Sequence, residues 1–122
     1  MKLHLTTAEN NNLITGYGAG FVEINRQRYT SNLIVMADKL LLDWQATDFA
    51  SLTAAHFAQI FELKPEVVLL GTGGKHQFLH PKTVQNLTEN GIPVECMTTA
   101  AACRTYNILM SEGRNVVAAL LI

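Results

Sequence analysis

The chain has 122 residues, enough for one domain and too few for two. A chain of this length buries roughly 65% of its unfolded surface; with 48% apolar and 16% charged residues, it is expected to be ordered and to hold a core without disulfides or a metal. Nine basic against ten acidic residues, a net charge of -1, argue against a general nucleic-acid binder, and the longest apolar run, Val116–Ile122, is too short to insert across a membrane as a helix.

In chain order, Lys2–Leu5 is a short strand candidate and Ala8–Asn12 a polar loop. This N-terminus has neither the apolar stretch of a secretion signal nor Arg/Ser-rich transit character. Cys96 and Cys103 make no disulfide framework. The expected location is therefore the reducing cytoplasm. Gly16, Gly18 and Gly20 interrupt the chain every second residue and suggest a tight turn among strands. Phe21–Ile24 is a strand, and Asn25–Gln27 a turn. Leu33–Met36 is apolar without a break, so both of its faces are expected to be buried. Asp38-Lys39 is the next turn, and Leu40–Gln45 the strand after it. These segments predict an antiparallel meander.

After Gln45 helices alternate with strands. Asp48, Ser51 and Thr53 compete as N-caps for a helix near Thr53–Phe61. Its Ala54, Phe57, Ala58 and Phe61 share one face, and Pro65 stops it. Val67–Leu70 is a buried strand that ends in Gly71-Thr72-Gly73-Gly74. A second helix is expected from Pro81 to the Asn90-Gly91 pair, then a strand at Ile92–Glu95. Thr98 or Thr99 caps a third helix that runs to about Glu112, with Ala102, Cys103, Tyr106, Leu109 and Met110 as its apolar stripe. Val116–Leu121 is the last strand. The order predicts an α/β fold: a three-layer single domain over residues 1–122 with a central mixed, mostly parallel sheet. Helices cover its faces, and an N-terminal antiparallel hairpin region extends or covers it. The strands at 67–70, 92–95 and 116–121 should share one sheet.

Ligands of open α/β sheets sit beyond the carboxyl ends of the strands, which makes Gly71–Gly74 the first candidate site. Glycines there let backbone N–H groups approach an anion. A P-loop is absent, because Leu69 stands where its first glycine belongs and His76 where its Ser/Thr belongs. A dinucleotide fingerprint fails at His76 as well. A plain tight turn is the competing reading of both glycine clusters, and the stronger one for the Gly16–Gly20 run. Arg104 lies opposite the apolar stripe, on the side of Asn107 and Ser111. It falls in the first two turns of its helix, where an exposed cation costs roughly 0.3–1 kcal/mol. Either a carboxylate such as Asp43 or Glu95, or a bound anion, would offset that cost. The candidate anion cleft then comprises Gly71, Thr72, Gly73, Gly74, Thr98, Thr99, Arg104 and Asn107. Cys103 belongs to the apolar stripe and Cys96 ends a strand; both are expected to stay unpaired. His76 and His80 are four apart, but Pro81 breaks any helix that would align them for a metal. No catalytic set, metal or cofactor is expected.

The segment Pro65-Glu66-Val67-Val68-Leu69-Leu70-Gly71-Thr72-Gly73 resembles a "PE-apolar-GTG" signature. Thr98–Leu109, with Thr99, Arg104, Tyr106 and Asn107, followed by Glu112-Gly113-Arg114, resembles its "T-x-A-x-x-T-Y-N-x-L…E-G-R" ending. Together these motifs resemble the Mth-type family of domains of unknown function. That family includes an adipogenesis-associated protein and the mitochondrial complex I assembly factor 3. The resemblance implies a three-layer α/β fold with a mixed sheet. By analogy it also implies a non-catalytic accessory or assembly factor that binds another protein. The competing expectation is a small-molecule or anion binder, or an enzyme, using the cleft at Gly71–Gly74 and Arg104. The first role calls for exposed apolar surface that the core does not need; the second calls for a concave pocket with convergent polar groups.

Overall fold

The computed structural model describes residues 11–122. The expected strand at 2–5 and most of the loop at 8–12 lie outside them. Ile14–Gly18 (β1), Phe21–Ile24 (β2) and Gln27–Tyr29 (β3) form an antiparallel sheet in the order β1-β2-β3. The turn between β2 and β3 puts Asn25 at φ 50 and Arg26 at φ 71. This left-handed pair matches the twist of a two-residue hairpin. The glycine run is not one tight turn. Gly16 and Gly18 lie inside β1, and the turn is confined to Ala19 and Gly20, the latter at φ 81. At Gly18 a Cβ would sit 2.6 Å from the Phe21 ring, so a side chain there would displace that ring.

Leu33–Met36 (β4) and Lys39–Leu41 (β5) form a second hairpin. The strand expected at 40–45 stops at Leu41, because Leu42 turns outward and Trp44 and Ala46 drop into the core. The expected meander is therefore divided between two sheets. The reason lies in β4, which is buried at every position and so belongs in the interior of a covered sheet.

That sheet is completed by Val67–Gly71 (β6), Val94–Met97 (β7) and Val116–Leu120 (β8), in the order β5-β4-β8-β6-β7. β6 runs parallel to β7 and β8, while β4 runs antiparallel to β5 and β8. The three strands expected to share a sheet do so, and the sheet is mixed. β7 starts later than the expected 92–95, since Pro93 has no N–H to give to the ladder.

Three α-helices pack on this sheet: Ala54–Phe61 (α1), Gln85–Thr88 (α2) and Thr99–Ser111 (α3). In α1 the buried pair is Phe57 and Ile60, while Ala54 and Ala58 face outward. The larger side chains gain more from burial and rotate the helix away from the expected stripe. The expected second helix divides into a 3-10 turn at Pro81–Val84 and the single turn of α2. α3 takes Thr98, one of its two expected caps, and buries Ala102, Cys103, Tyr106 and Met110.

Alternation along the apolar strands sets the layers. Leu33, Val35, Val67, Leu69, Ala118 and Leu120 face α3 and the small sheet, packing with Ile14, Val22 and Ile24. Ile34, Met36, Val68, Leu70, Val117 and Ala119 face α1 and α2, packing with Trp44, Phe57, Ile60 and Leu87. At the end of β6 the helix comes unusually near. A Cβ on Gly71 would lie 2.9 Å from Thr99 Oγ1 and 3.0 Å from Thr99 Cα. Gly71→Ala should therefore push α3 off the sheet and cost about 1–3 kcal/mol. Gly74→Ala, whose Cβ meets nothing within 4 Å, should stay within about 0.5 kcal/mol of the parent. Urea unfolding of both variants checks this; equal midpoints for Gly71→Ala and the parent would contradict the packing described.

Candidate functional site

The three parallel strands end on one edge, at Gly71, Met97 and Leu120. Just beyond lie Gly73 and Gly74, the N-terminus of α3, and Leu121 and Ile122. The tip of the β1–β2 hairpin stands opposite them. Between the two sides is a cleft of about 410 Å³, lined by Tyr17, Ala19 and Phe21 on the hairpin side and by Gly73, Gly74, Thr98, Thr99, Ala100, Leu121 and Ile122 on the other.

The predicted site residues have separate fates. Gly71 is buried in β6 beneath Thr99. Thr72 is 5% exposed; its hydroxyl donates to the Lys75 carbonyl at 2.6 Å, with the Met97 carbonyl 3.1 Å away. This bond closes the loop behind the cleft. Gly73, at φ 91, donates its N–H to Thr99 Oγ1 at 2.8 Å, and Thr99 Oγ1 donates to the Leu121 carbonyl at 2.6 Å. Thr98 Oγ1 accepts from the Ala101 N–H at 3.3 Å, as an N-cap does. Gly73, Gly74, Thr98 and Thr99 thus meet on the cleft, with the three threonine hydroxyls engaged by backbone.

Asn107 lies elsewhere. Its Nδ2 donates to the Ile14 carbonyl at 2.7 Å and its Oδ1 accepts from the Ile14 N–H at 2.9 Å. The amide imitates a neighbouring strand and fastens β1 to α3. Arg104 reaches the rim: its Nη1 donates to Tyr17 Oη at 3.0 Å. Its partner is a phenol on β1, not Asp43 or Glu95. The ion pair found among the described residues is Arg114 Nε with Glu66 Oε1, at 3.1 Å.

Tyr17, Ala19 and Phe21 are the wall that sequence reasoning missed. Arg28 accompanies them, its guanidinium carbon 3.9 Å from the centre of the Phe21 ring. Two aromatics bracketing Gly18-Ala19-Gly20 were the available signal. On the loop after β6, the His76 and Phe78 rings lie against each other at a tilt of 42° with centroids 4.4 Å apart, and Phe78 is 79% exposed. His80 is used locally, its Nδ1 accepting from the Lys82 N–H.

Both cysteines are free thiols, and burial raises both pKa values. Cys103 is pushed up to about 11, its desolvation opposed only in part by Arg104. Tyr106 is raised by burial too, with a further push from the charge of Asp38; its phenol donates to the Asn12 carbonyl at 2.8 Å. These protons are held more tightly in the folded chain than in the unfolded one. Stability from Cys103 is therefore full below its ordinary pKa of about 9 and is lost as pH rises toward 11. The urea midpoint should fall across this window, and Cys103→Ala should fall less steeply. A midpoint that is flat from pH 8.5 to 10.5 would contradict it.

A three-layer α/β domain with a cleft at the carboxyl edge of its parallel strands is the class this geometry defines. Residues 14–121 match the family of proteins of unknown function DUF498/DUF598, and the chain belongs to that family. Its relatives agree with the resemblance seen in the motifs. NADH dehydrogenase [ubiquinone] 1 alpha subcomplex assembly factor 3 of Mus musculus is 36% identical over 89 residues, covering 71% of this chain and 48% of that protein. The chain thus spans about half the length of that relative. The crystal structure of a Bordetella parapertussis protein is 42% identical, with a TM-score of 0.86 over 91% of this chain and 95% of that one. The solution structure of a Bordetella pertussis Mth938-like domain is 35% identical, with a TM-score of 0.79 over 90% and 85%. Among the described residues no helix is long and apolar enough to cross a membrane.

Proposed function

We propose that this protein is a non-catalytic accessory factor that assists the assembly of a multi-subunit complex by binding another protein. The observation that carries the proposal is the loop after β6. Phe78 stands 79% exposed there, where no core contact requires it. The stretch from Gly71 to Thr88 contains Lys75, Lys82, His76 and His80 and no acidic residue. An exposed ring in a stretch with two lysines and no carboxylate suits an acidic protein surface with an apolar recess. The identity with assembly factor 3 supports the role. So does the engagement of the threonine hydroxyls at the carboxyl edge by backbone, which suits a fixed scaffold. The location we propose is the cytoplasm, following the reducing character of two unpaired thiols.

Deletion of the gene in the source organism, followed by native electrophoresis and mass spectrometry of each band, tests this. One mature complex should be lost or depleted. The parent gene should restore it, and Phe78→Ser should not. An unaltered set of complexes after deletion would overturn the proposal.

A further inference from the structure

We infer that the carboxyl-edge cleft binds a small amphipathic monoanion: an apolar acyl or aryl body carrying a carboxylate. The inference goes beyond the assembly role and uses residues other than the Phe78 loop. The volume of about 410 Å³ falls at the lower end of the roughly 300–1,000 Å³ typical of small-ligand sites. Ala19, Phe21, Leu121 and Ile122 give it apolar walls. One guanidinium stands on its rim, held by an aromatic that lines it. Arg104 donates to the Tyr17 hydroxyl. Among the described residues it has no carboxylate within 4.0 Å. In a chain of net charge -1, such a cation at the mouth gives a local positive field. A guanidinium docked on an aromatic keeps donors free for a planar, two-oxygen acceptor.

The α3 side of the cleft adds donors. Gly73 gives its N–H to Thr99, but the N–H groups of Gly74 and Ala100 have no acceptor among the described residues. The head group therefore meets free N–H donors and the Arg104 guanidinium, and the tail meets apolar walls.

Decanoate and decanol, of equal chain length, are suitable probes below their aggregation limits. Binding would be followed by calorimetry and by amide NMR shifts. The parent protein should bind one decanoate, with shifts centred on Gly74, Ala100 and Ile122. Decanol should bind about tenfold more weakly, as should decanoate to Arg104→Gln. Gly74→Leu projects a side chain into open space, so it should keep a native spectrum and lose binding. The absence of saturable decanoate binding, equal affinity for decanol, or a Gly74→Leu variant that binds like the parent would each overturn the inference. The assembly role would survive any of these results, since its test rests on Phe78.

Discussion

One hydroxyl ties the carboxyl edge of the sheet together. Thr99 Oγ1 accepts from Gly73 N–H and donates to the Leu121 carbonyl, while the Thr99 N–H returns to the Gly73 carbonyl at 2.9 Å. The Leu121 N–H in turn bonds to the Gly71 carbonyl at 3.0 Å, and the Thr72 N–H to the Met97 carbonyl at 2.8 Å. The ends of all three parallel strands and the start of α3 are therefore joined in one network. Gly71 makes it possible by lacking a side chain where Thr99 approaches. A donor and an acceptor left over where strands stop and a helix starts would cost about 1–3 kcal/mol each if buried unpaired. The network removes that cost at the point where the glycine loop bends.

The placement of α3 then decides the placement of the small sheet. Asn107 pairs with both backbone groups of Ile14, and Tyr106 reaches the Asn12 carbonyl. Ile14, Val22 and Ile24 are buried in the core that α3 shares with the main sheet. The base of the small sheet is thus held by buried apolar contacts and by hydrogen bonds to helix side chains. Its tip is held differently, by the exposed bond between Arg104 and Tyr17. Exposed contacts of this kind contribute little. The cleft has one firm wall, made of strand ends and helix, and one softer wall, made of the hairpin tip.

The layers were legible in the sequence because the strands at 33–36, 67–71 and 116–120 are apolar at nearly every position and the last two alternate with recognisable helices. The stripe of α3 was equally plain, and its cap was narrowed to Thr98 or Thr99, of which the helix uses Thr98. What escaped was decided by tertiary contacts. The partner of β4 is β8, more than 80 residues later, and local pattern does not encode that choice. The rotation of α1 depends on the competition between Ile60 and two alanines for the same core. In the site, the glycine loop and the cap of α3 could be found from their position after buried strands. The hairpin wall could not, because Gly16 and Gly18 hide a strand behind a turn-like composition. Asn107 was grouped with Arg104 by helical phase, which is correct about the face and silent about β1 lying across it.

Replacement of the Thr99 hydroxyl tests the central claim most directly. Thr99→Val keeps the shape and removes both hydrogen bonds, while Thr99→Ser keeps them. Urea unfolding should show Thr99→Val destabilised by about 2–4 kcal/mol and Thr99→Ser close to the parent. Amide shifts in Thr99→Val should spread from 71–74 and 98–104 to the hairpin tip at 17–21. A Thr99→Val protein with the parent's midpoint and an unperturbed hairpin tip would contradict the dependence of the cleft on this hydroxyl.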